Sequence, residues 1–316
     1  MLNKDSKIYI AGHNGMVGSS IWRLLSSEGY FNLIGLPSKD LDLRNQSLVD
    51  EYISRERPNI IIDAAAKVGG ILANNNNPYE FLMDNLLIQN NLIYSSHKYN
   101  IDKFIFLGSS CIYPKFAKQP LREKYLLTDS LEKTNQWYAL AKISGVKLIE
   151  ALNKQYNRKY VSLMPTNLYG PHDNFDLETS HVLPAMINKF HLAKVEKRKS
   201  VKLWGSGTPM REFLHVDDLS RAILFILKNE LNHNLYNIGS NCEVEISRLA
   251  EITSNIVGFG GKIIWDRTKP DGTPRKILDT SRMNDMGWHS KINLKFGIES
   301  TYKWFLKNYE QIKVKS

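Results

Sequence analysis

The sequence predicts an α/β fold, a doubly wound parallel sheet with a second, smaller α/β domain. Three observations lead there. Short apolar runs alternate with helical stretches as far as Met164; a glycine-rich turn, Gly-His-Asn-Gly-Met-Val-Gly, stands directly behind the first run at residues 12–18; and the alternation breaks after about Pro171, returning near Val216. Continuous apolar strands separated by helices are the pattern of a parallel sheet covered on both faces. A glycine turn between strand and helix lets backbone N–H groups approach a pyrophosphate at the helix N-terminus.

Element by element, residues 7–11 read as the first strand, Met16 to Leu25 as a helix, Leu33 to Leu36 as a strand and Ser47 to Glu56 as a helix. Asn59 to Ala64, bounded by Pro58, reads as an apolar strand. The polar run Asn74 to Asn77 reads as a loop before a long helix from Pro78 to Tyr99. Lys103 to Leu107 is a strand, Asn135 to Tyr156 a helix, and Tyr160 to Met164 a strand. Residues 171–180 read as loop, Val182 to Ala193 as helix, and 204–211 as a turn-rich loop. Val216 to Lys228 and Leu235 to Ile238 read as a helix and strand returning to the sheet. A helix, a short strand at Lys262 to Trp265, the loop Lys269 to Arg275 and a closing helix end the chain. The expected division is residues 1–170 plus about 214–240 for the dinucleotide-binding domain. The remainder, about 171–213 plus 241–316, makes the substrate domain.

Composition narrows the function. The 316 residues include two cysteines, Cys111 and Cys242, too few for a disulfide framework. No apolar stretch approaches the length of a transmembrane helix, and Met1 to Ser6 is polar, unlike a signal peptide. A soluble, cytoplasmic protein is expected. Net charge is +10, which suits an anionic partner, but the only dense basic run is Lys194, Lys197, Arg198 and Lys199, followed by Lys202. That run reads as a solvated helix end, and no nucleic-acid-binding motif accompanies it. No nucleic acid, membrane or metal is expected as partner.

Tyr138 and Lys142 stand four apart on a predicted helix, on one face. A tyrosine is a poor acid-base catalyst at neutral pH unless an ammonium lowers its pKa. Gly108-Ser109-Ser110-Cys111 follows a strand upstream, at the carboxyl end of the sheet where ligands of such folds bind. Serine, tyrosine and lysine beside a dinucleotide turn make a carbonyl-reduction site. The segment after the second strand, Gly35 to Lys39, has no acid at the strand end to hold a ribose. Ser38 and Lys39 can meet a 2′-phosphate, so NADP is favoured over NAD.

These residues, with Ala64 to Ile71, Met164 to Phe175, Ser180-His181-Val182, Trp204 to Asp218 and Lys269 to Lys276, resemble the extended short-chain dehydrogenase/reductases with a Rossmann domain. Within them the resemblance is closest to the GDP-L-fucose synthase family and covers nearly the whole chain. It implies an NADPH-dependent 3,5-epimerase and 4-reductase acting on GDP-4-keto-6-deoxy-D-mannose. By this resemblance Tyr138 protonates the C4 oxygen, Lys142 binds the nicotinamide ribose, and Ser109 steadies the oxyanion. Cys111 and His181 match the positions that exchange protons at carbons 3 and 5. Cofactor contacts are implied at Gly12, Asn14, Gly15, Met16, Val17, Gly18, Ser38, Lys39, Leu107, Gly108, Lys142, Pro165, Asn167, Leu168 and His181. Substrate contacts are implied at Ser109, Asn167, Lys189, Trp204, Arg211 and Asp271, with Trp204 a stacking surface and Arg211 a diphosphate clamp. His215, Asp217 and Asp218 are expected to fix an interdomain turn and cap a helix. The chain departs from the family at Asn14 and Ser38, where arginines are common, and at Trp137, where proline is common. A homodimer is expected through helices 78–100 and 135–156. The rival readings are a C4 reductase of another GDP-4-keto sugar, such as a heptose, that does not epimerise, and a non-catalytic dinucleotide-binding regulator.

Overall fold

The computed structural model of the protein describes residues 2–269 and 271–315. Met1, Pro270 within the Lys269 to Lys276 motif, and the terminal Ser316 lie outside the described residues. The elements in chain order are β1 (Ile8–Ala11), α1 (Met16–Ser27), β2 (Leu33–Ile34), α2 (Gln46–Glu56), β3 (Ile60–Asp63), α3 (Ile71–Asn76), α4 (Pro78–Lys98), β4 (Lys103–Leu107), α5 (Gln136–Tyr156) and β5 (Val161–Pro165). There follow β6 (Asn167–Tyr169), α6 (Val182–Val195), β7 (Ser200–Trp204), β8 (Met210–His215), α7 (Val216–Lys228), β9 (Leu235–Ile238), β10 (Glu243–Glu245) and α8 (Ile246–Val257). The chain closes with β11 (Lys262–Asp266), β12 (Arg275–Lys276), α9 (Ser281–Asp285), α10 (Leu294–Lys307) and α11 (Tyr309–Lys315).

Six strands form a parallel sheet in the order β2-β1-β3-β4-β5-β9. The chain runs outward from β1 to β2, then crosses back to β3, so a switch point opens between β1 and β3, where ligands bind in open α/β sheets. One face packs Ile8, Ile10, Ile62 and Leu107 against α1 and α7; the other packs Tyr9, Ile61, Phe104 and Phe106 against α2, α4 and α5. Each such side chain, fully buried, stabilises the fold by roughly 1.5–3 kcal/mol. Helix α5 sits close because Gly145 has no Cβ: one there would lie 2.4 Å from the Phe106 ring. Gln89 of α4 also donates to the Ala141 carbonyl of α5 at 2.6 Å.

A second sheet aligns β10, β8 and β12, with β6 also pairing β8, and β7 pairs β11. A separate apolar cluster, including Phe175, Leu183, Phe190, Leu249 and Phe305, lies beneath them. Several expected elements are corrected. Asn74 to Asn76 close α3 instead of lying in loop, Asn74 donating to the carbonyls of Gly69 and Gly70. The second strand stops at Ile34. The expected loop at 204–211 is narrower, because Trp204 ends β7 and Met210 begins β8. Arg275 and Lys276, at the end of the expected 269–275 loop, pair in parallel with Met210 and Arg211. The single closing helix is three.

Four polar side chains lock these layers. His215 caps α7, its Nδ1 accepting from the Asp217 N–H at 3.2 Å. The neighbouring acids do not cap, as was expected of them, but bridge. Asp217 accepts from Ser20 of α1 at 2.6 Å, and the fully buried Asp218 accepts from the Lys291 and Ile292 N–H groups, both at 2.9 Å. Glu212, also fully buried, accepts from the Asn241 N–H at 2.8 Å and the Leu278 N–H at 3.0 Å.

Candidate active site

The glycine turn lies at the switch point. Gly12 has φ +76°, and a Cβ there would meet the Ala64 carbonyl oxygen at 2.8 Å; a Cβ on Gly18 would lie 2.2 Å from the Gly12 oxygen. Strand and helix therefore pack backbone to backbone, and the turn is held by a Gly15 N–H to Gly12 oxygen bond of 3.0 Å. Met16 opens α1 and Val17 packs on the sheet core, while Asn14 and Gly15 face solvent. The His13 ring abuts Gly35, so the loop holding the exposed Ser38 and Lys39 lies beside the turn. These features fit a dinucleotide: a backbone cradle that a Cβ would fill, a helix N-terminus aimed at it, and polar side chains at the second strand's end.

At the end of β4, Gly108 donates to the Leu163 carbonyl at 2.9 Å, and a Cβ there would strike the Met164 side chain. The chain then turns sharply through Ser109, whose Oγ accepts from the Cys111 N–H at 3.3 Å. The turn packs against α5, bringing Ser109 and Cys111 toward Tyr138 and Lys142. Lys142 is 2% exposed; its Nζ donates to the Leu107 carbonyl at 2.9 Å and lies 4.7 Å from the Phe106 ring centre and 5.8 Å from that of Tyr138. Pro165 ends β5. Asn167 and Leu168 follow on β6, the Asn167 amide donating to the Glu212 carbonyl at 2.7 Å.

The electrostatics differ from expectation in one respect. The Tyr138 phenol is pushed well above its usual value by burial, reinforced by Cys111 and Asp63, instead of being lowered by Lys142. Burial pushes the Lys142 ammonium down, against the pull of Asp63 and Cys111. The Cys111 thiol is raised by burial, while Lys276, Ser109 and Lys142 draw it back. His181, at the N-terminus of α6, is an exposed residue, and desolvation by the surrounding protein, with the Lys276 charge, holds its imidazole below the usual value. Lys276 thus acts electrostatically on both Cys111 and His181, and lines one cleft with Cys111, Ser110 and Asn135.

Farther out, Trp204 is 45% exposed and flanked by cations, Lys189 Nζ at 5.3 Å and Lys269 Nζ at 5.4 Å from its ring centre. Arg211 donates to the Met210 carbonyl at 2.9 Å and to that of Asp271 at 3.3 Å. The Asp271 carboxylate receives the Ser206 N–H at 2.7 Å and hydroxyl at 2.8 Å, closing the 204–208 loop onto the 269–273 segment. Trp204, Lys189, Arg211 and Asp271 therefore form one neighbourhood. The basic run Lys194 to Lys199 is an exposed helix end.

Two residues escaped the sequence reading. Lys276 closes a motif that was recognised, but its neighbours are distant in sequence. Asp63 is an acid ending an apolar strand, and that incongruity was the available signal.

A parallel sheet with a glycine cradle at its switch point, and a buried Tyr–Lys couple at the adjoining strand ends, defines a Rossmann-type, dinucleotide-dependent class of oxidoreductase. The chain belongs to the NAD dependent epimerase/dehydratase family, whose sequence model matches residues 8–239. It is 52% identical to GDP-L-fucose synthase 1 of Arabidopsis thaliana, over 98% of this chain and 95% of that one. It is 46% identical to GDP-L-fucose synthase of Escherichia coli K12, over 97% and 98% of the two chains. Among solved structures it resembles a GDP-mannoheptose C4 reductase from Campylobacter jejuni with NADP bound, at 34% identity and a TM-score of 0.89, covering 97% of this chain and all of the other.

Proposed function

We propose that this chain is an NADPH-dependent 3,5-epimerase and 4-reductase that converts GDP-4-keto-6-deoxy-D-mannose to GDP-L-fucose. The observation that carries the reading is the convergence of two sets of groups at one end of the sheet. Ser109, Tyr138 and Lys142 suit carbonyl reduction; Cys111 and His181, both under the charge of Lys276, suit proton exchange beside it. The identities of 46% and 52% to GDP-L-fucose synthases support it.

The glycine turn, Ser38 and Lys39 would hold the cofactor's phosphates, and Leu107, Gly108, Lys142, Pro165, Asn167, Leu168 and His181 would line its nicotinamide half. NADPH supplies a hydride for the C4 carbon. The residues do the rest. Ser109 donates to the C4 oxygen, so the negative charge of an enolate or alkoxide is met by a fixed donor. The C4 ketone, polarised by that donor, acidifies the protons on carbons 3 and 5, which Cys111 and His181 remove and return. Tyr138, its phenol kept protonated by burial, then gives its proton to the C4 alkoxide, and the Lys142 ammonium stabilises the phenolate left behind. Reduction destroys the ketone, so epimerisation comes first. Trp204, Lys189, Arg211, Asp271 and Asn167 would hold the GDP portion; a guanidinium suits a diphosphate. The separate apolar cluster beneath this neighbourhood supports a substrate domain of about 171–213 plus 241–316.

The test is mass spectrometry of the keto sugar nucleotide incubated with the protein in D2O. Deuterium uptake at C3 and C5 without NADPH, then reduction once it is added, is the expected result. Reduction with no deuterium would instead establish the second reading, a plain C4 reductase of another GDP-4-keto sugar, which the likeness to the mannoheptose reductase favours.

A homodimer is part of the proposal. Leu87 and Tyr94 of α4 and Leu140 and Leu148 of α5 are exposed apolar side chains on two helices that pack together. Paired with a second copy, they would form a four-helix bundle. Light scattering should give twice the chain mass; a monomer mass would remove this part. No helix among the described residues is long and apolar enough to cross a membrane, and a cytoplasmic enzyme is the reading that fits.

A further inference from the structure

Asp63 ends β3 with no exposed surface, and an aspartate is almost never fully buried unless it is paired. One carboxylate oxygen accepts from the Ala65 N–H at 3.2 Å; the other is buried with no hydrogen bond. In register, Asp63 pairs with Ala11 of β1 and Phe106 of β4, and paired residues point to the same face. That face is the one covered by α5, whose Lys142 sits over the Phe106 ring and on the Leu107 carbonyl. A fully buried acid and a nearly fully buried base thus flank one phenylalanine.

We propose that Asp63 is the buried counter-charge of Lys142, a positioning residue that keeps the ammonium protonated and seated beneath Tyr138. Its link to catalysis rests on the reductase reading above, but the charge pairing does not. The other groups on this face cannot serve. From β1, Tyr9 is a phenol pushed up by burial; from α5 and the turn after β4, Tyr138 and Cys111 are likewise raised and uncharged near neutral pH; from α4, the buried Asn85 and Gln89 are neutral amides. The two partners shift in reciprocal directions. Burial raises the Asp63 carboxyl to about 6 while Lys142 pulls it back, and burial lowers Lys142 while Asp63 pulls it up. Above that pH the carboxylate is charged and the lysine holds its proton; below it the carboxyl protonates and the lysine loses its partner.

Asp63→Asn fixes the uncharged state at every pH, and its amide oxygen can still accept from Ala65. In protein with isotope-labelled lysines, the Lys142 resonance, identified by its loss in Lys142→Met, should titrate about one pH unit or more lower in Asp63→Asn than in the parent. The alkaline limb of the reduction rate should move the same way. Lys142 titrating unchanged would overturn the proposal. If Asp63→Asn does not fold, the reverse measurement decides: in Lys142→Met the Asp63 carboxyl should titrate above its parental value, and an unchanged titration overturns the pairing. Neither titration needs turnover. A parent protein that left GDP-4-keto sugars unreduced with NADPH would defeat the reductase reading and leave the pairing standing.

Discussion

Tyr138→Phe is expected to lower the rate of reduction by about 10²–10⁴-fold, the usual contribution of a positioned proton donor. NADPH binding, followed by fluorescence, should stay within a few-fold, because the phenylalanine ring keeps the packing of α5. The cause is specific. In the proposed reaction, hydride addition to C4 leaves an alkoxide far more basic than water, for which the phenol held protonated by burial, next to Lys142, is the proposed donor. Deuterium exchange at C3 and C5 should fall less, since Ser109 still meets the enolate oxygen. Equal loss of exchange and reduction would mean that the hydroxyl serves the enolate as much as the alkoxide. Retention of the parental reduction rate would remove Tyr138 from the mechanism.

Cys111→Ser is expected to show the opposite pattern. Exchange should fall by about 10²-fold or more, the low end of what one acid-base group contributes, with cofactor binding unchanged. A serine hydroxyl is far less acidic than a thiol, so the burial that already raises Cys111 becomes prohibitive for an alkoxide. For the parent, the sign of the pH response follows from the same shift. The thiol lies above its ordinary value, so the thiolate population and the exchange it supports rise with pH until deprotonation is complete. Exchange at the parental rate in Cys111→Ser, measured by deuterium content, would show that another group does the work.

Much of the site was legible because it is local in sequence. The turn at 12–18 follows its strand directly, and the Tyr138–Lys142 pair needs only the period of a helix. Features that depend on chain crossings were not. The strand at 210–215 was hidden within turn-forming residues because its partners, at 167–169, 243–245 and 275–276, lie far away in sequence. Lys276 reaches Cys111 and His181 by the same crossing. The expected fall in the Tyr138 pKa failed for a different reason: helical spacing places an ammonium near a phenol, but reveals neither how deeply both are buried nor that the ammonium is engaged by the Leu107 carbonyl. Asn74 to Asn76 misled because asparagine favours loops by competing for backbone bonds, whereas the Asn74 amide donates to carbonyls at the start of its own helix.

Glu212 has a consequence for which parts of this chain can be altered independently. Its carboxylate fastens two stretches of chain beyond β9, at 241 and 278, and even Gly239 must lack a Cβ to make room for it, since one there would lie 2.4 Å away. The residue before it, Arg211, donates to the Asp271 carbonyl, and the Asp271 carboxylate in turn receives Ser206 of the 204–208 loop. Substitutions in the 204–208 loop can therefore reshape this surface while the Glu212 anchor, one residue from Arg211, keeps the chain at 241 and 278 in place. Surface and frame thus meet at a single peptide bond, yet can be altered separately.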